Sequence, residues 1–183
     1  MKTVNRNNFF VVTGGPGMGK TSLLEEMKRR GYYCIEETGR QVIQDQIRVK
    51  GEALPWKSPL LFAELLFKQD LDNFMNCKEQ QQPVLFDRGI PDVMGYLKLN
   101  NIRLLPHMIQ NADQLRYNPL VLITPPWEEI YINDTERKQS FTEAVDTYKM
   151  MADIYTRLDY QLLEIPRISV KDRADFMIKA IGF

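Results

Sequence analysis

A glycine-rich stretch near the amino terminus constrains this chain more than any other segment does. Residues 14–21 read GGPGMGKT and fit the pattern GxxxxGK[ST] without a mismatch. A short apolar run, FFVVT at 9–13, precedes the stretch, and a helical pattern starts at about Lys20. A strand, a glycine loop and a helix in this order are typical of a loop that holds phosphate groups, so we predict a phosphate-binding loop here.

The residue types in this loop suit phosphate chemistry. Glycines let consecutive backbone N–H groups point inward, and the start of the following helix adds the positive end of its dipole. Lys20 would reach the β- and γ-phosphates of a nucleotide, and the Thr21 hydroxyl would bind Mg²⁺. We therefore expect ATP and Mg²⁺ as ligands. The residues predicted to hold the nucleotide are Gly14, Gly15, Pro16, Gly17, Met18, Gly19, Lys20, Thr21, Ser22 and, far from the loop in sequence, Arg173.

The rest of the chain alternates between strand and helix patterns. Largely apolar runs predict further strands at 32–37, 83–89, 119–126 and 167–171. Helical patterns occur at 38–49, 58–80, 91–98, 103–115, 139–164 and 172–182. Strands that are apolar without alternation are buried on both faces, as in a parallel sheet covered by helices. We predict an α/β fold with a five-stranded parallel sheet in a single domain spanning residues 1–183.

Charged residues occur where two of the predicted strands end. Asp87 and Arg88 end the third strand, and Glu36 and Glu37 end the second. Because ligands of open parallel sheets bind beyond the carboxyl ends of the strands, we expect these residues opposite the loop. Asp87 could bind Mg²⁺ directly or through water, and Arg88 could clamp a phosphate. One glutamate could accept a proton from a substrate hydroxyl, and Glu37 is the favoured one.

The charged segment 127–140, WEEIYINDTERKQS, predicts a short lid over one end of the sheet. A segment that closes over ATP excludes water and brings positive charge to the moving phosphoryl group. Arg137, and after it Lys138, are the candidates for that role, with a salt-bridged surface loop as the alternative. Arg173 could lie against the adenine ring, or it could be a surface arginine. Trp56 and the residues before it could wall an acceptor pocket.

The composition argues against several classes of protein. Lys and Arg number 24, as do Asp and Glu, so the net charge is zero and a general nucleic-acid binder is not expected. No apolar run approaches the roughly 18 residues of a membrane span, and the amino terminus lacks signal-peptide features. The two cysteines, Cys34 and Cys77, form no CxxC pair. This usage fits a reducing compartment, so we expect a cytoplasmic protein, either a monomer or a homodimer.

Three segments together resemble a known family. They read GGPGMGKTSLLEEMKRRGYYCIEETGRQVI, VLFDRGIPDVMGYL and PPWEEIYINDTERKQSFTEA. These segments are similar to the predicted ATPases among P-loop proteins, AAA-like domains related to the nicotinamide riboside kinase domain and to nucleoside and nucleotide kinases. The glycine loop is general to the superfamily. The patterns E-x-x-R at 37–40, DRG at 87–89 and D-x-E-R at 134–137 are more specific to the group.

The resemblance, which spans residues 9–183, implies a three-layer αβα P-loop fold with the parallel strands in the order 2-3-1-4-5. It also implies roles for side chains: Glu37 as the base, Asp87 and Arg88 near Mg²⁺ and the acceptor, and Arg137 in the lid. Two features depart from related kinases. The third strand ends in DRG rather than DRS, and the lid lacks the multiple arginines of many nucleotide kinases. The resemblance therefore leaves the acceptor open.

Two functions agree with these observations. The first is a kinase that transfers the γ-phosphoryl group of ATP to a small nucleoside- or nucleotide-like metabolite, with Lys20, Glu37, Asp87, Arg88 and Arg137 as its catalytic residues. The second is an ATPase or a nucleotide-dependent switch that has no small-molecule acceptor. Transfer of phosphate to an added compound distinguishes the two, because a switch binds the nucleotide tightly and transfers little.

Overall fold

A central parallel sheet of five strands organises the structure, a computed structural model that describes residues 3–131 and 140–182. The strands are β1 (Val4–Asn5), β2 (Phe9–Gly14), β3 (Tyr33–Ile35), β4 (Val84–Asp87), β5 (Leu115–Arg116), β6 (Leu120–Thr124) and β7 (Gln161–Glu164). The central sheet has the order β3-β4-β2-β6-β7, and β1 pairs with β5 separately. Numbered along the chain, the five central strands follow the order 2-3-1-4-5, which confirms the predicted topology.

Helices cover both faces of this sheet. The helices are α1 (Lys20–Arg29), α2 (Thr38–Arg48), α3 (Pro59–Asn76), α4 (Ile90–Leu99), α5 (Pro106–Gln114), α6 (Phe141–Arg157) and α7 (Val170–Ile181), with a 3₁₀ turn at Glu128–Ile130. One core cluster packs α1 and α7 against the sheet, and a second packs α3, α4, α5 and α6 against it. The structure therefore has three layers, as predicted.

The strand β2 shows why a run of apolar residues without alternation becomes a central strand. Its side chains point alternately to the two faces of the sheet. Phe9 and Val11 enter the cluster beneath α3 to α6, whereas Phe10 and Val12 enter the cluster beneath α1 and α7. All six residues of β2 are buried, so both faces need apolar side chains.

The parallel pairing brings the carboxyl ends of three strands to one edge. β4 pairs with β2 and β3, and Val12 lies opposite Asp87. The segment after β2 is the glycine loop, the segment after β3 carries Glu37, and β4 ends at Asp87 immediately before Arg88. Residues far apart in sequence thereby come to the same edge of the sheet.

The prediction of a fifth strand at 167–171 is wrong. The fifth strand is β7, which pairs with β6 and lies within the region predicted as the end of a long helix. That helix, α6, ends at Arg157, and Asp159 has a φ of 59° just beyond it. Residues 167–171 instead lead into α7, where the Ser169 hydroxyl accepts a hydrogen bond from the backbone N–H of Asp172. The alternating residues therefore form a helix cap and not a strand.

This helix cap gives a stability prediction with a built-in control. We expect Ser169→Ala to lower the free energy of unfolding by about 1 kcal/mol, because the first turn of α7 loses its side-chain acceptor. Ser58 occupies the corresponding position before α3 but makes no such hydrogen bond, so Ser58→Ala should cost less than about 0.5 kcal/mol. Urea unfolding of both variants checks the difference, and equal costs would contradict the assignment.

Candidate active site

The glycine loop leads directly from β2 into α1. Gly17 and Gly19 both have a φ of 74°, in the left-handed region that glycine adopts without a steric cost. Gly19 immediately precedes the first residue of α1, which is Lys20. The unpaired backbone N–H groups and the positive dipole end of α1 therefore lie at the loop, where an anion can use them.

The loop packs closely against α6 and α7. A methyl group on Gly15 would overlap the carbonyl oxygen of Ala144 in α6. Arg173, near the start of α7, is buried and donates from Nη2 to the carbonyl oxygen of Met18 at 3.3 Å. Its guanidinium carbon also lies 5.8 Å from the centre of the Trp127 ring. The structure places Arg173 against the backbone of the loop, and its contact with an adenine ring stays a prediction.

The ammonium group of Lys20 lies within the loop. Its side chain is buried, and Nζ donates to the carbonyl oxygen of Gly15 at 3.0 Å. Burial, together with the nearby charge of Arg88, lowers the pKa of Lys20 to about 8. The ammonium group is therefore still mostly protonated at neutral pH, which is the form that attracts a phosphate.

A cavity of about 800 Å³ lies beside the loop. This is within the usual range for a site that holds a small molecule. The loop contributes one part of its wall, with the lining residues Pro16, Gly17, Gly19, Lys20, Thr21 and Ser22. The helices α2, α3, α4 and α6 contribute most of the rest, through Arg40, Phe62, Leu66, Val93, Tyr96 and Met151 among others. The cavity thus joins a phosphate site to a region walled by apolar and aromatic side chains.

Arg88 connects three segments at this cavity. Its Nε donates to Glu37 Oε1 at 2.9 Å, and its Nη1 donates to Asp92 Oδ1 at 3.1 Å. Nη1 also donates to the carbonyl oxygen of Gly14 at 3.1 Å. Burial lowers the pKa of Arg88, but the carboxylates of Glu37, Asp92 and Asp87 outweigh burial and raise it. Arg88 is therefore permanently charged.

The two glutamates after β3 lie in different surroundings. Glu36 is exposed and pairs with Lys28 on the surface at 2.5 Å. Glu37 lines the cavity and pairs with Arg88. Burial raises the pKa of Glu37, but Arg88 and then Lys20 outweigh burial and lower it to about 2. Of the two carboxylates, Glu37 is the one that can meet a molecule in the cavity, and it does so in its ionised form.

Asp87 ends β4 with a buried carboxyl group. Its Oδ1 has no hydrogen-bond partner in the described part of the chain. Burial raises the pKa of Asp87 to about 6, although the nearby Lys20 acts in the opposite direction. A buried carboxyl oxygen without a partner fits a group that binds Mg²⁺ or an ordered water, because both satisfy such an oxygen.

The metal prediction depends on Thr21 and Asp87. Thr21 lines the cavity from the first turn of α1. Within residues 3–131 and 140–182, no three His, Cys, Asp or Glu side chains come together as a metal site. Mg²⁺ normally uses one or two protein oxygens and takes its remaining ligands from phosphates and water. Thr21 and Asp87 fit that limited role, which stays a prediction.

The sequence analysis missed Asp92. This residue is buried in the first turn of α4, where it accepts hydrogen bonds from the hydroxyl groups of Thr13 at 2.5 Å and Tyr155 at 2.7 Å. It also accepts from the backbone N–H of Gly89 at 3.0 Å. Asp92 thereby fixes one side of the Arg88 guanidinium. The signal in the sequence was the helix start GIPD, in which an aspartate at the third helical position caps the first turn.

The sequence analysis also missed Asp70. It occupies a position in the buried stripe of α3, together with Phe67 and Phe74. Only 8% of its surface is exposed, it lines the cavity, and it accepts a hydrogen bond from the Thr38 hydroxyl at 3.0 Å. Burial raises the pKa of Asp70 to about 7. A carboxylate at a helical position that the spacing assigns to the core was the available signal.

The predicted lid and the predicted acceptor wall at Trp56 are the two remaining parts of the site. Arg137 and Lys138 fall in residues 132–139, outside the described part of the chain, so the role of Arg137 stays a prediction. Ile130, which lies before that segment, lines the cavity. Pro55 also lines the cavity, whereas Trp56 beside it is 65% exposed.

Comparison with known families identifies the family of this chain. A family model described as an AAA domain matches residues 9–173. The chain belongs to this family. The matched region includes the glycine loop, Glu37, Arg88 and Arg173, and it confirms the P-loop ATPase family that the sequence resembles. No curated protein sequence matches the chain.

Solved structures share the fold of this AAA domain. Deoxyadenosine kinase from M. mycoides matches with a TM-score of 0.69 at 14% identity, over 95% of this chain and 98% of that one. NadR protein in complex with NR matches with a TM-score of 0.69 at 18% identity, over 96% of this chain and 52% of NadR. Thymidylate kinase from Ehrlichia chaffeensis matches with a TM-score of 0.63 at 16% identity, over 94% and 97%. The AAA domain thus has a P-loop kinase fold.

Among the residues that the structure describes, none of the helices combines the length and the apolar character needed to cross a bilayer.

The environment of Asp70 predicts how stability depends on pH. Its pKa of about 7 in the folded protein exceeds the ordinary value of 3.8, so the unfolded chain releases this proton first as pH rises. Asp70 therefore lowers stability progressively between about pH 4 and pH 7. Because asparagine does not titrate, Asp70→Asn should become more stable than the parent protein over this range, on the order of 3 kcal/mol at pH 8.

Urea unfolding at pH 4, 6 and 8 measures this effect. Asp72→Asn, at an exposed position of the same helix, should follow the parent protein at every pH. A difference between Asp70→Asn and the parent protein that does not change with pH would contradict the effect of burial on Asp70.

Proposed function

We propose that the protein transfers the γ-phosphoryl group of ATP, with Mg²⁺, to a hydroxyl group of a small nucleoside- or nucleotide-like acceptor. One observation carries this proposal: Lys20 of the phosphate loop and the Glu37 carboxylate line the same cavity. An ATPase or switch needs the first of these groups. A carboxylate beside a large pocket with apolar walls is the additional feature that a transfer enzyme requires.

At the nucleotide end, the proposed reaction depends on charge and position. The loop N–H groups, Lys20 and the helix α1 would hold the phosphates, and bound Mg²⁺ would offset charge on the β- and γ-phosphates. Thr21 and Asp87 are the residues that would hold the metal. Phosphoryl transfer passes through a loose transition state, so fixed positive groups and alignment supply most of the acceleration.

At the acceptor end, Glu37 would orient the attacking hydroxyl group. Because its carboxylate stays ionised, it accepts the hydroxyl hydrogen bond without first losing a proton of its own. The acceptor oxygen then bonds to the γ-phosphorus, the bond from phosphorus to ADP breaks, and the hydroxyl proton passes to Glu37. A carboxylate with a low pKa is a weak base, so positioning is its larger contribution.

The rest of the cavity would hold the body of the acceptor. Phe62 and Tyr96 meet edge to face with ring centres 5.5 Å apart, and both line the cavity. Aromatic and apolar walls with a few polar groups suit a planar ring carrying a sugar or another polar group. The AAA domain family and the kinase fold support this acceptor class.

The location and assembly state belong to the same proposal. We place the reaction in the cytoplasm, because Cys34 and Cys77 are both free thiols. The protein would act as a monomer or homodimer, without nucleic acid or membrane partners.

The decisive test follows labelled phosphate. The purified protein is incubated with Mg²⁺, γ-labelled ATP and separate pools of nucleosides, nucleotides, vitamin precursors and sugars. The proposal expects label on a compound from one pool. Label that appears only as free phosphate, or ATP binding without any turnover, would contradict the proposal and favour the ATPase or switch.

The loop lysine gives a first variant. Lys20→Ala should lower transfer by at least about 100-fold, because it removes a fixed charge from the moving phosphoryl group. Lys28→Ala, in the same helix but on the surface, should retain the parent rate. Circular dichroism establishes that both variants fold. Parent-like turnover by Lys20→Ala would refute the assignment of the loop.

The glutamate pair gives a second, matched test. Glu37→Gln should lower kcat for transfer by about 100-fold or more while changing the Kd for ATP less than about threefold. Glu36→Gln alters the neighbouring surface carboxylate and should leave both quantities unchanged. Calorimetry with a non-hydrolysable ATP analogue and the label assay supply the two numbers. An equal loss of ATP binding and transfer in Glu37→Gln would show that Glu37 does not serve the acceptor.

A further inference from the structure

The charges along the cavity wall restrict what the cavity can accept. Among the described residues, five carboxylate side chains and three cationic ones line it. The acidic residues are Glu37, Asp70, Asp92, Glu143 and Asp146, and the basic residues are Lys20, Arg40 and Arg88. A bound nucleotide brings several further negative charges. An acceptor that carried its own phosphate would therefore enter a wall in which negative groups already predominate.

The central cation of this wall is already engaged. Arg88 donates to Glu37, to Asp92 and to the carbonyl oxygen of Gly14 through two of its three nitrogens. Nη2 is the remaining nitrogen, so a two-point clamp on a phosphate would require Arg88 to give up at least one of its present hydrogen bonds, and a carboxylate released in this way would lack its counter-charge. Breaking such a pair is costly. Lys20 belongs to the glycine loop and would serve the phosphates of ATP.

Core packing does not explain why a carboxylate occupies position 70 in the cavity wall. It lies on the apolar face of α3, where a leucine would fill the same position of the helix stripe. The one hydrogen bond that it makes within the described residues comes from the Thr38 hydroxyl. Thr38 directly follows Glu37, so Asp70 lies near the carboxylate that would receive the attacking hydroxyl. Burial raises the pKa of Asp70 to about 7, although the hydrogen bond from Thr38 acts in the opposite direction.

We propose that Asp70 selects acceptors that carry no phosphate group, by accepting a hydrogen bond from a second hydroxyl or amino group of an unphosphorylated acceptor. This inference rests on the proposed function and narrows its substrate class to nucleoside-like alcohols. A hydroxyl or amino donor that enters the cavity can bind the Asp70 carboxylate, whereas a phosphate group on the acceptor would bring a second negative charge beside it and be repelled. Asp70 is therefore a specificity residue, distinct from Glu37, which meets the reacting hydroxyl.

Binding measurements with matched pairs test the selection. Deoxyadenosine, deoxycytidine and thymidine are each compared with the 5′-monophosphate by isothermal titration calorimetry at pH 8, with Mg²⁺ and a non-hydrolysable ATP analogue present. At least one nucleoside should bind ten times more tightly than its monophosphate. A monophosphate that binds as tightly as its nucleoside, or the absence of binding by all six compounds, would overturn the proposal.

The variant Asp70→Asn tests whether Asp70 itself causes the preference for acceptors without a phosphate group. The substitution keeps the shape of the side chain and removes its charge, so the Kd of the nucleoside should rise about tenfold. The ratio of the Kd of the monophosphate to the Kd of the nucleoside should fall. Asp72→Asn, exposed on the same helix, should leave both affinities unchanged. A parent-like ratio in Asp70→Asn would overturn the role of Asp70.

The label assay separates this inference from the function on which it rests. Transfer of label to a monophosphate in preference to its nucleoside would support a kinase and overturn the selection by Asp70. Selective binding of a nucleoside without transfer of label would support the selection and overturn the kinase proposal.

Discussion

The candidate site depends on the guanidinium group of Arg88. Its hydrogen bonds reach the end of β2 at Gly14, the segment after β3 at Glu37 and the start of α4 at Asp92. The backbone of Arg88 has a φ of 74°, which is uncommon for a residue with a side chain. Backbone strain of this kind persists where surrounding contacts hold it, and it is frequent at functional sites.

The same arginine makes the other charges possible. Glu37 can be ionised in a partly buried position because Arg88 lies against it, and Asp92 can be buried because Arg88, two hydroxyl groups and a backbone N–H satisfy it. Removing one partner of a buried ion pair commonly costs about 3–5 kcal/mol, since the remaining charge is left unpaired. The arrangement therefore functions as one unit in which no single carboxylate is independent.

The buried carboxyl groups of Asp70 and Asp87 differ from those of Glu37 and Asp92. Burial raises the pKa values of both, to about 7 and about 6, because neither has a full counter-charge in the protein. Such groups reduce the stability of the empty protein at neutral pH. They are chemically reasonable in a site whose ligands supply the missing partners: a metal ion or water for Asp87, and a hydrogen-bond donor for Asp70.

Much of the fold was predictable because its signals are local. The loop GGPGMGKT with a strand before it and a helix after it identifies the P-loop, and the apolar runs locate four of the five central strands. The fifth was misplaced because 167–171 alternates like a strand, although Ser169 and Asp172 form a cap. The strand order itself followed from the family resemblance and not from the pattern.

The site was predictable only in part, because its contacts join distant segments. Rules about strand ends located Glu37, Asp87 and Arg88, but the different surroundings of Glu36 and Glu37 emerge only from the packing of α1 and β4. Asp92 contacts Thr13 and Tyr155 across 79 and 63 residues, which no local pattern reports. Asp70 lies within the helix predicted at 58–80, but the sequence analysis assigned it no role because its spacing is that of a core residue.

The central claim is that Arg88 holds Glu37 ionised at the acceptor side of the cavity. Carbon-13 NMR of the Glu37 carboxyl group, followed through a pH titration, tests it most directly. The account expects Glu37 to remain ionised down to at least pH 4 in the parent protein. In Arg88→Met the pKa of Glu37 should rise, because burial continues to oppose its charge while the cation is gone. A titration near the ordinary value of 4.5 that is the same in both proteins would contradict the account.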